Sequence, residues 1–218
     1  MNISIDKFAA QLKNNPEVLG IILFGSWAAG TNHADSDADL IIIQAEGVRK
    51  SIQRYEDQWF EIMYTNEKDI KEYWYKNRDG CFAFWTDAKI LYDKDGTVRR
   101  LEEYGKALIH EGKPALSNEE IEFLTFDTKD QLRSLSNYMR TDKETAIILL
   151  HRQIFLLSSL YFNLRQLWTP SPKRKLTVLE KLDKGIVDLF RECLRITADD
   201  IEQKIQKVQE LRERVFLI

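Results

Sequence analysis

The stretch that decides the fold is FGSWAAGTNHADSDADLIII, residues 24–43. It places Gly-Ser at the end of one apolar run, VLGIILF, and an Asp-x-Asp pair at the start of another, LIII. Two neighbouring carboxylates repel each other and resist burial, so a strand has no structural need for them. We therefore expect a positively charged group to lie between Asp37 and Asp39.

The two apolar runs predict buried strands. Residues 18–24 form a short continuous apolar stretch rich in β-branched side chains, and residues 40–43 form a second one. Residues 59–64 and 89–92 predict two more strands, and Asp-Lys-Asp-Gly ends the last of them as a turn signal. Apolar spacing predicts helices in the remaining part of the first half: residues 5–12, 48–55, 67–77 and 101–109.

After Pro114 the strand signals almost vanish. Ser117 and Glu120 fit a capping box and predict a helix that runs towards residue 139. A long helix is expected at residues 143–168, and apolar side chains on most of its circumference predict the centre of a bundle, with His151 in the interior. Two or three amphipathic helices complete the chain, so we place a domain boundary near Pro114.

Composition excludes several functional classes. The 218 residues are 44% hydrophobic, enough for one large or two small domains with a real core, and the net charge of -3 argues against a general nucleic-acid binder. Cys81 and Cys193 are far apart, so we expect buried thiols in place of a disulfide framework or a zinc site. The sequence shows no apolar signal core and no uncharged stretch of membrane-spanning length, so we expect a soluble cytoplasmic protein.

The acidic residues predict a metal site. Side chains two apart on a strand point to the same face, so Asp37 and Asp39 project together. Paired carboxylates with room for substrate phosphates suit Mg²⁺. Glu61 lies inside the apolar strand WFEIMY, where a charge is unexpected unless it faces the same site. Three acids on neighbouring strands could hold two metal ions for an in-line phosphoryl displacement.

Gly25 and Ser26 predict an anion-binding turn. A strand followed by Gly-Ser and the start of a helix presents backbone N–H groups to an anion, and the Ser26 hydroxyl can add a hydrogen bond. Gly25 allows the backbone to approach closely, and Gly30 allows the following turn. A triphosphate cradle beside a metal clamp indicates nucleotidyl transfer.

These residues resemble the signature of the polymerase-β-like nucleotidyltransferase superfamily, in which Gly-Ser is followed, ten residues later, by Asp-x-Asp. Glu61 matches the third carboxylate of that family by its place on a later strand. The layout is similar to that of small antibiotic nucleotidyltransferases, such as the kanamycin and lincosamide enzymes. The resemblance implies an α+β fold, with a nucleotidyltransferase domain over residues 1–113 that holds a small mixed β-sheet flanked by helices, and a C-terminal α-helical bundle over residues 114–218.

The resemblance also implies an activity and roles for individual residues. The expected enzyme uses Mg²⁺ to move a nucleoside monophosphate, AMP in our reading, from a nucleoside triphosphate to a hydroxyl of a small-molecule acceptor such as an antibiotic, releasing pyrophosphate. Asp37, Asp39 and Glu61 would be the catalytic metal ligands. Gly25 and Ser26 would bind the nucleotide phosphates, and Lys173, after the proline break, is a further candidate for a phosphate contact.

Other functions remain open on the sequence. The acceptor could be a macromolecule such as a protein hydroxyl, whereas the acidic balance argues against RNA. The chain could also be an antitoxin-like or regulatory nucleotidyltransferase that acts on or binds a protein partner. The sequence does not exclude a homodimer.

Overall fold

A computed structural model of the protein describes residues 3–195 and 201–217, and the side chains of Ile3, Ile201 and Glu202 lie outside this description. The chain forms two compact units, Met1–Gly112 and Lys113–Ile218. The division falls just before Pro114, where strand signals vanish from the sequence.

The first unit is built on one mixed sheet. Within its described residues five strands pair in the order β3-β4-β2-β1-β5. Their bounds are β1 Val18–Phe24, β2 Ala38–Gln44, β3 Arg49–Tyr55, β4 Gln58–Thr65 and β5 Lys89–Asp93. β2 and β4 are parallel, and the other neighbouring pairs are antiparallel. The expected small mixed sheet is confirmed.

Helices cover both faces of the sheet at its centre, which explains the unbroken apolar runs of β1 and β2. The helices of this unit are α1 Ile3–Lys13, the one-turn α2 Gly25–Ala29, α3 Glu67–Lys76, α4 Arg78–Trp85 and α5 Thr97–His110. Ile5 and Phe8 of α1 pack in one core with Leu40 of β2. Trp74 of α3 and Leu101 of α5 pack on the opposite face in a second core.

The expectation of a short helix at residues 48–55 is wrong, because β3 occupies this segment as an outer strand. β3 pairs antiparallel with β4 along its whole length, from Arg49 opposite Tyr64 to Tyr55 opposite Gln58. Its side chains are exposed or half-buried in alternation, and short polar segments of this kind carry no decisive period. The pairing with β4, a tertiary contact, selects the strand.

Two helices of the first unit differ from the sequence prediction, and hydrogen bonds at their first turns explain both differences. α4 is missing from the sequence prediction, and the Asn77 side chain begins it by accepting a hydrogen bond from the Gly80 N–H at 3.0 Å. α5 begins at Thr97, four residues before the expected start. The Asp93 carboxylate accepts from the N–H groups of Val98 and Arg99 at 3.1 and 3.2 Å, which satisfies donors of the first turn.

The second unit is helical in its described residues. The helices are α6 Asn118–Thr141, α7 Lys143–Leu164, α8 Lys175–Leu182, α9 Lys184–Leu194 and α10 Ile201–Phe216, with a short 3-10 helix at Pro172–Arg174 before α8. The Ser117 and Glu120 capping box is present at the start of α6. Apolar residues of α6, α7, α9 and α10 form one core. The expected helical bundle is confirmed.

α7 is less enclosed than its composition predicts. Ile148 and Phe155 are 68% and 58% exposed. His151 lies on the same exposed side, where its Nδ1 is 2.8 Å from the Ile147 carbonyl, so the expected interior position of His151 is wrong. By length and composition alone α7 could cross a membrane, with a mean hydropathy of 1.4. The central helix of a bundle has the same composition, and half of the most apolar 18-residue stretch of α7 is buried inside the structure.

Both cysteine thiols are buried, as expected, one in each unit. Burial raises the pKa of Cys81 to about 11 and the pKa of Cys193 to about 12. The thiolate is the nucleophilic and metal-binding form, so neither side chain is poised for chemistry at neutral pH.

Candidate active site

Three carboxylates converge at the start of β2. Asp39 of β2 lies directly opposite Glu61 of β4 in the parallel register, and Asp37 is two residues before Asp39, just ahead of the strand. One oxygen from each carboxylate lies within 4.8 Å of the other two. The sequence-predicted acids Asp37, Asp39 and Glu61 are therefore brought together; we call them the acidic triad.

The triad has the dimensions of a cation site. Ligand oxygens around an octahedral Mg²⁺ at about 2.1 Å are separated by about 3.0 Å in adjacent positions and about 4.2 Å in opposite positions. The limit of 4.8 Å on the separations in the triad exceeds the wider of these values by about 0.6 Å, and rotation of the exposed side chains can bring the oxygens closer. The donors are hard carboxylate oxygens, which favour Mg²⁺ over softer metals. The residues present thus fit a divalent cation.

The pleat of the sheet places the triad on a single face. Leu40 packs in the core beneath α1, whereas Ile41 packs in the core beneath α3 and α5, so alternate residues of β2 point to opposite sides. Asp39 shares the side of Ile41, and Glu61 shares the side of Met63. The apolar core covers this face further along the strands, while Asp37 and Glu61 are exposed and Asp39 is half-buried. The acids are therefore accessible to a ligand.

Gly25 makes room for Asp39. Phe24, the last residue of β1, is paired with Asp39, and the next residue, Gly25, has a positive φ of 68°. A Cβ atom at Gly25 would lie 2.0 Å from Asp39 Oδ2. A glycine is therefore needed both for the left-handed backbone and for the space that the carboxylate fills. Sequence reasoning assigned Gly25 only to the approach of an anion, and that role stays a prediction.

Ser26 lies in α2, next to Gly25 and half-buried. Its carbonyl accepts from the N–H groups of Gly30 and Thr31, with 3.0 Å to Thr31, and so closes the single turn of α2. Gly30 ends this turn with a φ of 71°. The expected contact between the Ser26 hydroxyl and a phosphate stays a prediction.

The loop that carries Asp37 is anchored by residues that sequence reasoning missed. The Ser36 carbonyl accepts from Trp27 Nε1 at 3.1 Å and from Gln58 Nε2 at 2.8 Å. Trp27 belongs to α2 and Gln58 is the first residue of β4. Hydrogen bonds from two different elements therefore fix Ser36, the residue directly before Asp37. A polar residue at the start of an otherwise apolar strand was the available signal for Gln58.

The segment expected as a helix supplies a basic neighbour of the triad. Lys50 of β3 lies with its Nζ 3.9 Å from Glu61 Oε1. Both side chains are largely exposed, and such a pair contributes little to stability. Glu61 can therefore exchange this lysine for a metal ion at small cost. Arg54, a further cation of the same strand, pairs with Asp57 at 3.4 Å.

Lys173, the remaining predicted site residue, lies in the short 3-10 helix of the second unit and is exposed. Its expected contact with phosphate stays a prediction. The nearby Lys175 is buried and donates to the hydroxyls of Ser158 and Ser159 at 3.2 and 2.6 Å. These bonds direct Lys175 into the bundle.

Comparisons with known proteins agree with this geometry. Residues 6–97 match the family model "Polymerase beta, Nucleotidyltransferase". A relative from Methanocaldococcus jannaschii, "Putative protein adenylyltransferase MJ1305", is 29% identical over 140 residues, which cover 58% of this chain and 95% of the relative. A crystal structure of a nucleotidyltransferase-like protein from Exiguobacterium sibiricum superposes with a TM-score of 0.51 at 12% identity, over 97% of this chain and 74% of that one.

The match covers both halves of the signature, from the Gly-Ser turn after β1 to the Asp-x-Asp pair at β2, and also Glu61 on β4. Residues 6–97 are therefore similar in sequence to polymerase-β-type nucleotidyltransferase domains, and the chain is an enzyme of the nucleotidyltransferase type.

Proposed function

We propose that this enzyme uses Mg²⁺ to transfer AMP from ATP to a hydroxyl group of a protein acceptor, with release of pyrophosphate. The observation that carries the proposal is the convergence of Asp37, Asp39 and Glu61 inside the residues that match the nucleotidyltransferase family. A cytoplasmic location, where ATP is available, suits this activity.

The acidic triad would hold the metal. Bound Mg²⁺ would neutralise charge on the phosphates and lower the pKa of the acceptor hydroxyl. Asp39 would be the central ligand, since it lies between Glu61 on the neighbouring strand and Gly25 at the end of β1. Ser26 would donate its hydroxyl to a phosphate oxygen of the nucleotide.

The transfer would be a single in-line displacement. The acceptor oxygen forms a bond to the α-phosphorus, and the bond from that phosphorus to the oxygen of the leaving pyrophosphate breaks. The hydroxyl proton passes to a carboxylate oxygen of Glu61 and then to solvent. Exposure of Glu61 allows this oxygen to reach both the acceptor and water.

The name of the Methanocaldococcus jannaschii relative supports a protein acceptor, since this chain aligns with 95% of that relative. A small hydroxyl compound such as an antibiotic is the alternative acceptor. An antitoxin-like or regulatory protein would act on or bind one particular protein partner. A panel of added proteins and small hydroxyl compounds separates these cases. Pyrophosphate release with a protein or with a small compound identifies the class of acceptor, whereas an antitoxin-like or regulatory protein would bind or modify only its own partner and release no pyrophosphate with the panel.

Calorimetric titration of the protein with a non-hydrolysable ATP analogue, with Mg²⁺ or with EDTA, tests the first step. We expect binding that requires the metal and is lost in the double variant Asp37→Asn, Asp39→Asn. The fold should remain, and without metal the unfolding temperature should not fall, because removal of like charges relieves repulsion. Asp35→Asn is the matched control, since Asp35 is exposed in the same loop and lies outside the triad.

Transfer is then measured as pyrophosphate release and as label incorporated from ATP carrying a radioactive α-phosphate. Metal-independent binding, or full transfer by the double variant, would overturn the proposal. Transfer to aminoglycosides or lincosamides but to no protein would keep the nucleotidyltransferase chemistry and replace the protein acceptor by a small molecule.

A further inference from the structure

An exposed strip of the sheet lies beside the acidic triad. Ile52 of β3 is paired with Glu61 of β4, so the two side chains share one face. The same pairing places Lys50 beside Met63 and Arg54 beside Trp59 on that face. We call Lys50, Ile52, Arg54 and Trp59 the β3–β4 strip.

The strip contains two apolar side chains that are open to solvent, Ile52 opposite Glu61 and Trp59 opposite Arg54. Ile52 is 74% exposed and Trp59 is 51% exposed. On the opposite face of the same strand, Phe60 is fully buried beneath α1. Exposed apolar side chains that adjoin one another and are bordered by charges are typical of interaction sites. Ile52 and Trp59 also lie next to a candidate catalytic carboxylate, Glu61, so we interpret them as part of an interaction site.

The strip carries two cations, Lys50 and Arg54, and each forms an exposed ion pair with an acid outside the strip: Glu61 at 3.9 Å and Asp57 at 3.4 Å. β3 has the sequence RKSIQRY, with three cations and no acid, in a chain whose net charge is -3. Lys50 and Arg54 stand on either side of Ile52 on the triad face, and the Arg54 guanidinium lies 5.9 Å from the centre of the Trp59 ring. Arg49 is on the opposite face, where it lies 3.7 Å from the centre of the Tyr64 ring.

The strip lies on the side of the triad from which an acceptor must approach. In the strand order β3-β4-β2-β1, Asp39 lies on β2. Gly25 and Ser26 follow β1 on one side of it, and Glu61 and the strip lie on β4 and β3 on the other side. In an in-line displacement the attacking oxygen and the leaving pyrophosphate lie on opposite sides of the phosphorus. Phosphates at Gly25 and Ser26 therefore direct the acceptor towards Glu61 and β3.

We propose that the β3–β4 strip binds an acidic segment of the acceptor protein that also carries apolar side chains, next to the hydroxyl that receives AMP. Acidic residues of the segment pair with Lys50 and Arg54, and an apolar side chain covers Ile52 and Trp59. Lys50, 3.9 Å from Glu61, becomes available to the acceptor when metal takes the carboxylate. Arg54 exchanges its ion pair with Asp57 for the acceptor at small cost, because both side chains are exposed. The proposal rests on the proposed function, since it assigns the acceptor of that same site.

Short synthetic peptides test the strip without knowledge of the natural acceptor. One set contains a single Ser, Thr or Tyr among Glu and Leu residues, and a second set has Lys in place of Glu. With labelled ATP and Mg²⁺, the enzyme should label the acidic peptides with a KM about tenfold lower than the basic ones, the size of effect of two exposed ion pairs.

The double variant Lys50→Glu, Arg54→Glu should reverse this preference. Arg54→Glu alone, at a residue paired with Trp59 and not with Glu61, should weaken the preference while metal-dependent binding of the ATP analogue stays within about twofold of the parent enzyme. Arg49→Glu is the matched control, because it changes a charge on the same strand but on the opposite face, and it should keep the acidic preference. Ile52→Ser, which leaves the charges alone, should raise the KM of the acidic peptides.

Equal labelling of acidic and basic peptides would overturn the proposal and leave the proposed nucleotidyltransferase activity intact. So would a change in peptide preference that is the same for Arg49→Glu as for the Lys50 and Arg54 variants. Normal metal-dependent ATP binding with no peptide labelled would also overturn it. Loss of metal-dependent ATP binding in the unaltered enzyme would overturn the proposed function itself, and the strip proposal with it.

Discussion

Replacement of Gly25 by alanine separates the stability of the fold from the integrity of the site. Gly25 has a φ of 68°, and an added Cβ atom would meet Asp39 Oδ2 at 2.0 Å. Ordinary contact begins at 3.4 Å, so the carboxylate oxygen would have to move by about 1.4 Å. This oxygen and Cγ, which would lie 2.9 Å from the added atom, belong to a side chain that can rotate, whereas Asp39 Cβ at 3.3 Å needs to shift by only about 0.1 Å. We therefore expect Asp39 to turn away while the backbone moves little.

The two consequences differ in size. The left-handed backbone with a Cβ atom costs about 1–2 kcal/mol of folding free energy. Rotation of Asp39 adds little to that cost, but it removes the central ligand from the triad. A misplacement of about 1 Å at a catalytic group can lower the rate about a hundredfold, which corresponds to about 2.7 kcal/mol of barrier.

Gly30→Ala is the matched control. Gly30 has nearly the same φ, 71°, but among the residues that the structure describes, no atom beyond Gly30 and its chain neighbours lies within 4 Å of an added Cβ. Urea unfolding should therefore show similar losses of stability for both variants, whereas metal-dependent ATP binding and transfer should fall only in Gly25→Ala. If Gly25→Ala keeps the metal affinity and turnover of Gly30→Ala, Asp39 is not the central ligand that the geometry indicates.

Three further changes test neighbouring parts of the site. Glu61→Gln keeps the size and removes the charge, and kcat should fall about a hundredfold with ATP affinity little changed; equal loss of binding would place Glu61 with the phosphates instead. Ser26→Ala should raise the KM for ATP more than it lowers kcat, by about 1 kcal/mol for one hydrogen bond, and an unchanged KM would leave Ser26 as a residue of the turn. Gln58→Leu removes the 2.8 Å bond to the Ser36 carbonyl, so metal affinity should fall through a less ordered Asp37 loop, while an unaltered metal titration would show that Trp27 suffices.

The sequence contained the strands that build the centre of the sheet. β1 and β2 are buried on both faces, so each contains a continuous apolar run. The same local logic predicted the capping box at Ser117, because a cap joins residues three apart in the chain. These features depend on neighbours in sequence and were predicted, although the equally local cap of α4 by Asn77 was missed.

Other features depend on neighbours in space, and there the sequence was insufficient or misleading. β3 is a strand because β4 supplies its hydrogen bonds, and the residues of β3 alone did not indicate this. Apolar composition predicted an enclosed α7, yet Ile148 and Phe155 are exposed, since composition does not say which neighbours a helix receives. The error at β3 concealed Lys50 and Ile52, and with them the strip beside Glu61.

For the candidate site, the residues with the required chemistry were recognisable in the chain: a Gly-Ser turn, an Asp-x-Asp pair and one acid in an apolar strand. The tertiary structure decided how they meet, through the parallel register that sets Asp39 opposite Glu61 and through the space that Gly25 leaves for the Asp39 carboxylate. The physical reason is that spacing along one strand fixes the face of a side chain, whereas register between strands is set by the packing of the whole sheet.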